Sequence, residues 1–261
     1  MHTQRTRLAR RSLFSTLTVL SPLQADLLKL TALLAMVTDH VNTILLQGSL
    51  PVLYAIGRMA FPLFTLIWAM HVIKKPQRLQ AQAVRLWVWA ACTQPVFWFA
   101  FSSDGQSWLA LNILFLFAAC TQALAWQHAY GTRGGLYGLT LLLFLAWPLT
   151  PASYGVPGIV FACLTLLGFL RPDLAIRTSF TALWLLSVAL LNGLNAVMDW
   201  TEGWLFYAAL PAVALPLMMA ELIAMTRPGD VRFLPKRFFY HAYAGHLLVL
   251  GVAAVLIHSA G

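Results

Sequence analysis

Of the 261 residues, 60% are hydrophobic and only 10% are charged, with a mean hydropathy of +0.76. Soluble domains carry about 25% charged residues, so this composition excludes one and defines an integral helical membrane protein. The formal charge of +9 does not point to nucleic acid, because fourteen of the seventeen Lys and Arg residues fall in the N-terminal arm or at short links between apolar runs, and no link carries a base-stacking motif.

In chain order, "MHTQRTRLARRSLFSTLTVL" has the basic start of a signal peptide, but its apolar part is short, studded with Ser and Thr, and lacks a small-x-small cleavage site. It reads as a basic cytoplasmic arm, residues 1–26, lying on anionic lipid. "SPLQADLL" then opens a helix: Ser21 caps it, Pro22 suits its first turn and Asp26 its positive end. Nine spans are expected, at 27–46, 52–73, 84–101, 108–127, 136–150, 156–170, 178–198, 204–225 and 238–258. The links "KKPQR", "HAYGTRGG", "RPDLAIR" and "RPGDVRFLPKR" are basic, whereas "QGSLP", "SSDGQS", "TPASYG" and "DWTEG" hold no base. This alternation places the N-terminus in the cytoplasm and, after nine crossings, the C-terminus on the periplasmic side. No repeat, low-complexity tract or long linker divides residues 27–261, so the expected fold is all-α, one polytopic transmembrane helix bundle. Cys92, Cys120 and Cys163 lie singly inside apolar runs, which points away from disulfides and from a metal site.

Ionisable groups inside a bilayer are costly, about 2.5–3.5 kcal/mol each, and face a partner or a cavity. Here they are Lys29, Asp39, His40, Arg58, His71, Glu221, His241 and His246. Eleven residues of helix bring Lys29 and His40 back to one face, about 16 Å apart along the axis. With Asp39 beside His40 and Asn42 a turn further on, the first helix presents a polar shaft. "GRMAFPLF" supplies Arg58 at a similar depth on the next, antiparallel helix, and an Arg in hydrocarbon needs an acidic partner, so Asp39 and Arg58 are expected to pair. Gly57 allows the close approach, and Pro62 frees a backbone carbonyl.

In "FFYHAYAGHLLVL" the helical period groups Tyr240, Tyr243 and His246 on one side, with His241 elsewhere; His246 reaches the level of His40. Two imidazoles beside a carboxylate suit acid–base chemistry, whereas a buried pair that only fixes helix packing is the alternative. His71 and Glu221 sit near helix ends and snorkel to water. His2, His128 and His258 fall in tails or links, and Asn112, Asn192 and Asn195 suit bonds between helices. No zinc-protease HExxH, phosphate loop or GxSxG elbow is present.

The stretches "KLTALLAMVTDHVN", "GRMAFPLF", "NILF", "SYGVPG" and "FYHAYAGHLLVLGV" resemble, in order and from first helix to last, the TraX family of conjugative pilin acetylases, in particular its plasmid-encoded branch, which also holds TrbP conjugal-transfer proteins. Many relatives have Pro where this chain has Ala244, which leaves a kink before His246 open. The resemblance implies N-acetylation of the amino terminus of a pilin subunit in the bacterial inner membrane, with acetyl-CoA as donor. Lys29 and His40 also match the basic-residue-to-His spacing of wider membrane acyltransferases.

The residues fit that chemistry. Lys29, Arg232, Lys236 and Arg237 would hold the coenzyme phosphates. His40 would take the proton of the attacking amine, with Asp39 acting through Arg58. His246 would serve as a second base, an acid for the thiolate or a donor to the thioester oxygen. Asn42, Tyr240, Tyr243 and Asn112 are the substrate-binding candidates. The alternatives are a non-enzymatic inner-membrane factor for pilus assembly and a small-solute transporter, for which inverted repeats would be expected but none is visible.

Overall fold

The computed structural model describes residues 12–102, 108–192, 205–235 and 237–260, and every regular element among them is helical. Expected features at Asn195 and Lys236, and part of the expected span at 178–198, lie outside the described residues.

Within the expected arm, α1 (Leu13–Thr18) buries Phe14 and Leu17 in the bundle, Phe14 resting edge-on against Phe169 and Trp184. Ser21 and Gln24 form a reciprocal capping box, and Pro22 occupies the first turn of α2 (Pro22–His40). Asp26 is not simply a helix-end charge. It is buried, pairs with Lys29 at 3.0 Å and accepts from the backbone N–H of Leu234 at 3.1 Å, tying a distant link to α2.

Past His40 the helix widens into a π-turn, Val41–Leu45, a distortion common at functional positions. The Asn42 side chain accepts from Leu50 N–H at 3.1 Å, and its backbone carbonyl from Gly48 N–H, folding "QGSLP" back. Then come α3 (Pro51–Gly57) and α4 (Ala60–Ile73), separated by a turn at residues 58–59, and α5 (Leu79–Phe101).

α6 (Ile113–Ser153) is continuous by hydrogen bonding but reverses at Gly131, whose φ of 59° suits glycine. The reversal is read from contacts: a β-carbon on Gly138 would overlap Ala123, one on Gly134 would overlap the Trp126 carbonyl, and Leu111 N–H bonds Pro148 O at 3.0 Å. The expected spans 108–127 and 136–150 are thus two arms of one helical hairpin. The remaining helices are α7 (Gly155–Leu170), α8 (Pro172–Ala175), α9 (Thr178–Ala189), α10 (Leu210–Met225) and α11 (Phe238–Ala260). α11 runs unbroken through Ala244, so no kink precedes His246.

Among the described residues four stretches are long and apolar enough to cross a membrane, at 51–73, 113–153, 206–225 and 238–257; α7 and α9 are shorter apolar helices. In the most apolar window of the 51–73 stretch 61% of the residues are buried, against 17–33% in the other three, which makes α4 the central post. A large apolar cluster surrounds it, and a second joins α2, α5 and α11 through Leu33, Met36, Phe97, Tyr243 and Leu247. Buried indole N–H groups find partners: Trp68 donates to Thr121 and Trp184 to Thr165. At one end, the links after α4 and α10 converge on the start of α2, where Gln24 donates to the carbonyls of Ala224 and Thr226.

Candidate active site

Asp39 and His40 stand at the end of α2, one residue apart and therefore about 100° apart around the helix. They make separate partnerships. Arg58 Nη2 donates to Asp39 Oδ1 at 2.5 Å, with side-chain exposures of 12% and 20% for Arg58 and Asp39. Gly57 is required for this approach, because any β-carbon there would overlap the Asp39 side chain. The guanidinium also lies over the Tyr54 ring at 4.2 Å and donates from Nη1 to the Tyr154 hydroxyl at 3.5 Å.

Tyr154 joins two of the sequence motifs. It occupies the left-handed region (φ 65°), followed by Gly155 (φ 48°), so "SYG" forms the tight corner between α6 and α7. The corner stacks the Tyr154 ring on Phe61 of "GRMAFPLF", with centroids 4.6 Å apart.

His40 faces α11. Its Nδ1 lies 2.8 Å from His246 Nε2, with the rings near parallel at 10°, while Phe101 meets His40 edge-on. His246 Nδ1 lies 2.9 Å from the Ala242 carbonyl, which only accepts, so this nitrogen carries the proton. In the neutral pair His246 Nε2 is then the acceptor, and His40 Nδ1–H donates to it. By this hydrogen-bond assignment His40 Nε2 is left with a lone pair. The arrangement gives His40 one basic nitrogen and a second ring able to take up the proton on its other side.

A cavity of about 580 Å³ runs from the end of the bundle where the links converge toward this pair. Six cations line it: Lys29, Lys74, Lys75, Arg78, Arg85 and Arg232. Partial burial, with Arg232 and Lys29 facing it, pushes the Lys74 ammonium below the usual lysine range. Deeper in, the walls are apolar. They end at Met36 and Tyr243, about one helical turn short of His40 and His246, roughly 6 Å and 4.5 Å along the respective helices. The polar shaft expected from Lys29 to His40 is therefore interrupted, since Met36 shares that face of α2 and fills it with a thioether.

The other expected residues scatter. Tyr240 lines the cavity and stacks on Trp89 at 4.9 Å, whereas His241 is exposed and outside the cavity lining, meeting the same indole edge-on at 5.0 Å. Tyr243 lies within reach of His246, their rings 5.8 Å apart. Arg237 is exposed and is absent from the cavity lining. Asn42 is buried in the loop it organises, its Nδ2 having no hydrogen-bond partner among the described residues. Asn112 is fully committed elsewhere: it caps α6 through Leu114 N–H and donates to Ala90 O and Gln94 Oε1. Sequence reasoning missed Lys74, Lys75, Arg78 and Arg85 as cavity residues, taking the link bases as topology signals. Positions 78, 82 and 85 fall on one helical face, and that spacing would have shown it. No group of three His, Cys, Asp or Glu able to hold a metal forms among the described residues.

These features define a helical membrane protein with a half-buried histidine pair just beyond the foot of a basic-mouthed cavity. The TraX protein family profile matches residues 24–254. Over 242 residues the chain is 35% identical to Protein TraX of Escherichia coli (strain K12), covering 92% of this chain and 90% of that one. Another Protein TraX from Escherichia coli is 33% identical over 239 residues, 91% and 90% of the two chains. The chain belongs to the TraX family. No solved structure matches it.

Proposed function

We propose that this chain transfers an acetyl group from acetyl-CoA to the amino-terminal amine of a conjugative pilin subunit, within the bacterial inner membrane. The observation that carries the reading is the His40–His246 pair set just beyond the foot of a cavity whose mouth holds six cations. Family membership supports it, through the activity that the resemblance implies.

The residues fit a coenzyme donor. Lys29, Lys74, Lys75, Arg78, Arg85 and Arg232 offer a cluster of donors for phosphate groups, and the apolar walls suit a long uncharged arm. The donor supplies an acyl group activated as a thioester. In the transfer an N–C bond forms to the acceptor amine and the C–S bond breaks, releasing the coenzyme thiol. His40 Nε2 takes the proton that the amine must lose. His246 Nε2 steadies the charged ring by accepting from His40 Nδ1–H, and the proton held by the pair is available to the departing thiolate. Asp39 is a positioning residue: paired with Arg58, it locks the end of α2 against α3 and fixes where His40 sits.

For topology, the alternation of basic and base-free links supports an N-terminus in the cytoplasm and nine crossings. The reversal at Gly131 supports counting α6 as two of them. The basic cavity mouth then opens to the cytoplasm, where acetyl-CoA is made, and the base-free links face the periplasm.

The test is the intact mass of the co-encoded pilin from cells with the wild-type chain, with His40→Ala and without the chain. Loss of one acetyl group in both defective cases is the expected result. A pilin mass that is the same in all three would sink the acetylase reading in favour of a role in assembly.

A further inference from the structure

Between the basic cavity and the histidine pair lies a layer of two side chains. Met36 is 7% exposed and Tyr243 6% exposed; both line the cavity and both belong to the apolar cluster joining α2, α5 and α11. Each stands about one turn on the cavity side of a histidine, Met36 four residues before His40 and Tyr243 three before His246. Neither histidine lines the cavity itself. Met36 and Tyr243 thus form the cavity wall on the His40 side, and an acyl group delivered from the cavity toward His40 has to pass that wall, about one helical turn deep. The Tyr243 hydroxyl is engaged by the Ile113 backbone, and Phe64 and Leu114 also line the cavity, so an acyl tail meets mainly apolar surface there and shape selects what enters.

From this geometry we infer that Met36 and Tyr243 form a gate that sets acyl length, admitting a two-carbon acyl group and excluding longer ones. The inference rests on the proposed acyl transfer and specifies its substrate class. The bond changes are the same for every chain length: N–C forms, C–S breaks, the amine proton goes to His40 and a proton returns to the thiolate. Only the room for the acyl tail differs. Tyr243 acts through its ring, packed beside His246, whereas Met36 is unbranched and flexible, so the tyrosine is the stiffer wall. Replacing it with alanine deepens the cavity toward the pair; Tyr243→Phe keeps the wall.

The experiment uses membranes holding the full chain and its pilin, supplied with acetyl-CoA and butyryl-CoA together, and reads the pilin by intact mass. Wild type and Tyr243→Phe are expected to transfer acetyl almost alone. Tyr243→Ala is expected to shift the butyryl-to-acetyl ratio upward by about tenfold or more, the scale on which a pocket distinguishes added methylenes. Met36→Ala, expected to shift the ratio in the same sense, carries the test if Tyr243→Ala fails to accumulate. As a readout independent of turnover, butyryl-CoA is expected to raise the melting temperature of the detergent-purified alanine variant more than that of wild type. Acetylation by both alanine variants with the wild-type ratio would overturn the gate while leaving the transferase reading intact. Absence of any acyl transfer by the wild type would remove both.

Discussion

Asp39 commits one carboxylate oxygen to Arg58, and Gly57 is the only residue small enough to let that contact form. Removing one member of a largely buried ion pair strands the other, at a cost of about 3–5 kcal/mol. Asp39→Ala and Arg58→Ala are each expected to lower stability by that order in denaturant titrations in detergent. The double variant is expected to lose much less than the sum, because no charge is left alone. Gly57→Ala is expected to cost about 1–3 kcal/mol, the range for overpacking, because the carboxylate in its way is tied down. For the histidines the expectation concerns rate. His40→Gln removes the basic nitrogen and is expected to lower kcat by about 10²–10⁴-fold with little change in KM. His246→Gln keeps an acceptor for the His40 Nδ1–H, so its loss in kcat is expected to be smaller. Equal losses in the two variants would count against His40 as the base.

At the scale of elements, helix ends and corners do the positioning. The capping box starts α2, the π-turn ends it just beyond His40, and the left-handed corner at Tyr154 lets α7 leave α6 while holding a ring against α4. Asn112 belongs to this scale rather than to the chemistry. Its side chain caps α6 and bridges to α5, so Asn112→Ala is expected to cost at least about 1 kcal/mol, the usual loss for an N-cap. Pilin acetylation per folded molecule is expected to be unchanged, with the melting temperature and the pilin mass measured on the same preparation. The Asp39–Arg58 pair, the Ser21 cap and the approach of His246 to His40 were legible in the sequence, because charge pairing in hydrocarbon and helical period leave few alternatives. The role of Asn112 was not, since nothing in "LNILFLF" tells whether an amide bonds a ligand or a neighbouring helix.

At the scale of the molecule, the cavity gathers like charges from α2, the link after α4, α5 and the link after α10. Their mutual repulsion is relieved by a polyanion, so KM for acetyl-CoA is expected to rise with added salt as the mouth is screened. Lys74→Glu combined with Arg78→Glu is expected to raise KM at nearly constant kcat, separating binding from the histidine chemistry. The direction with pH follows from Lys74. Its ammonium loses its proton below the usual lysine range and only the charged form attracts phosphate, so binding weakens as pH rises through that lowered value. An anion in place raises it again, and binding in that window is therefore accompanied by proton uptake. A KM that stays flat across both salt and pH would remove the cation cluster from coenzyme binding.

The sequence by itself determined the class, an all-helical membrane protein, and the residues that do not belong in hydrocarbon. Both follow from local quantities, namely apolar run length, the cost of intramembrane charge and the angle between successive residues of a helix. Only the tertiary structure decided what those residues do together. It divided Asp39 and His40 between two partnerships, turned four link bases into the mouth of a cavity, and placed Met36 and Tyr243 between that mouth and the histidines. These are contacts between segments far apart in the chain, as with His40 and His246, separated by 206. Helical period fixes the face on which each side chain stands, but which faces meet is settled by the packing of the whole bundle.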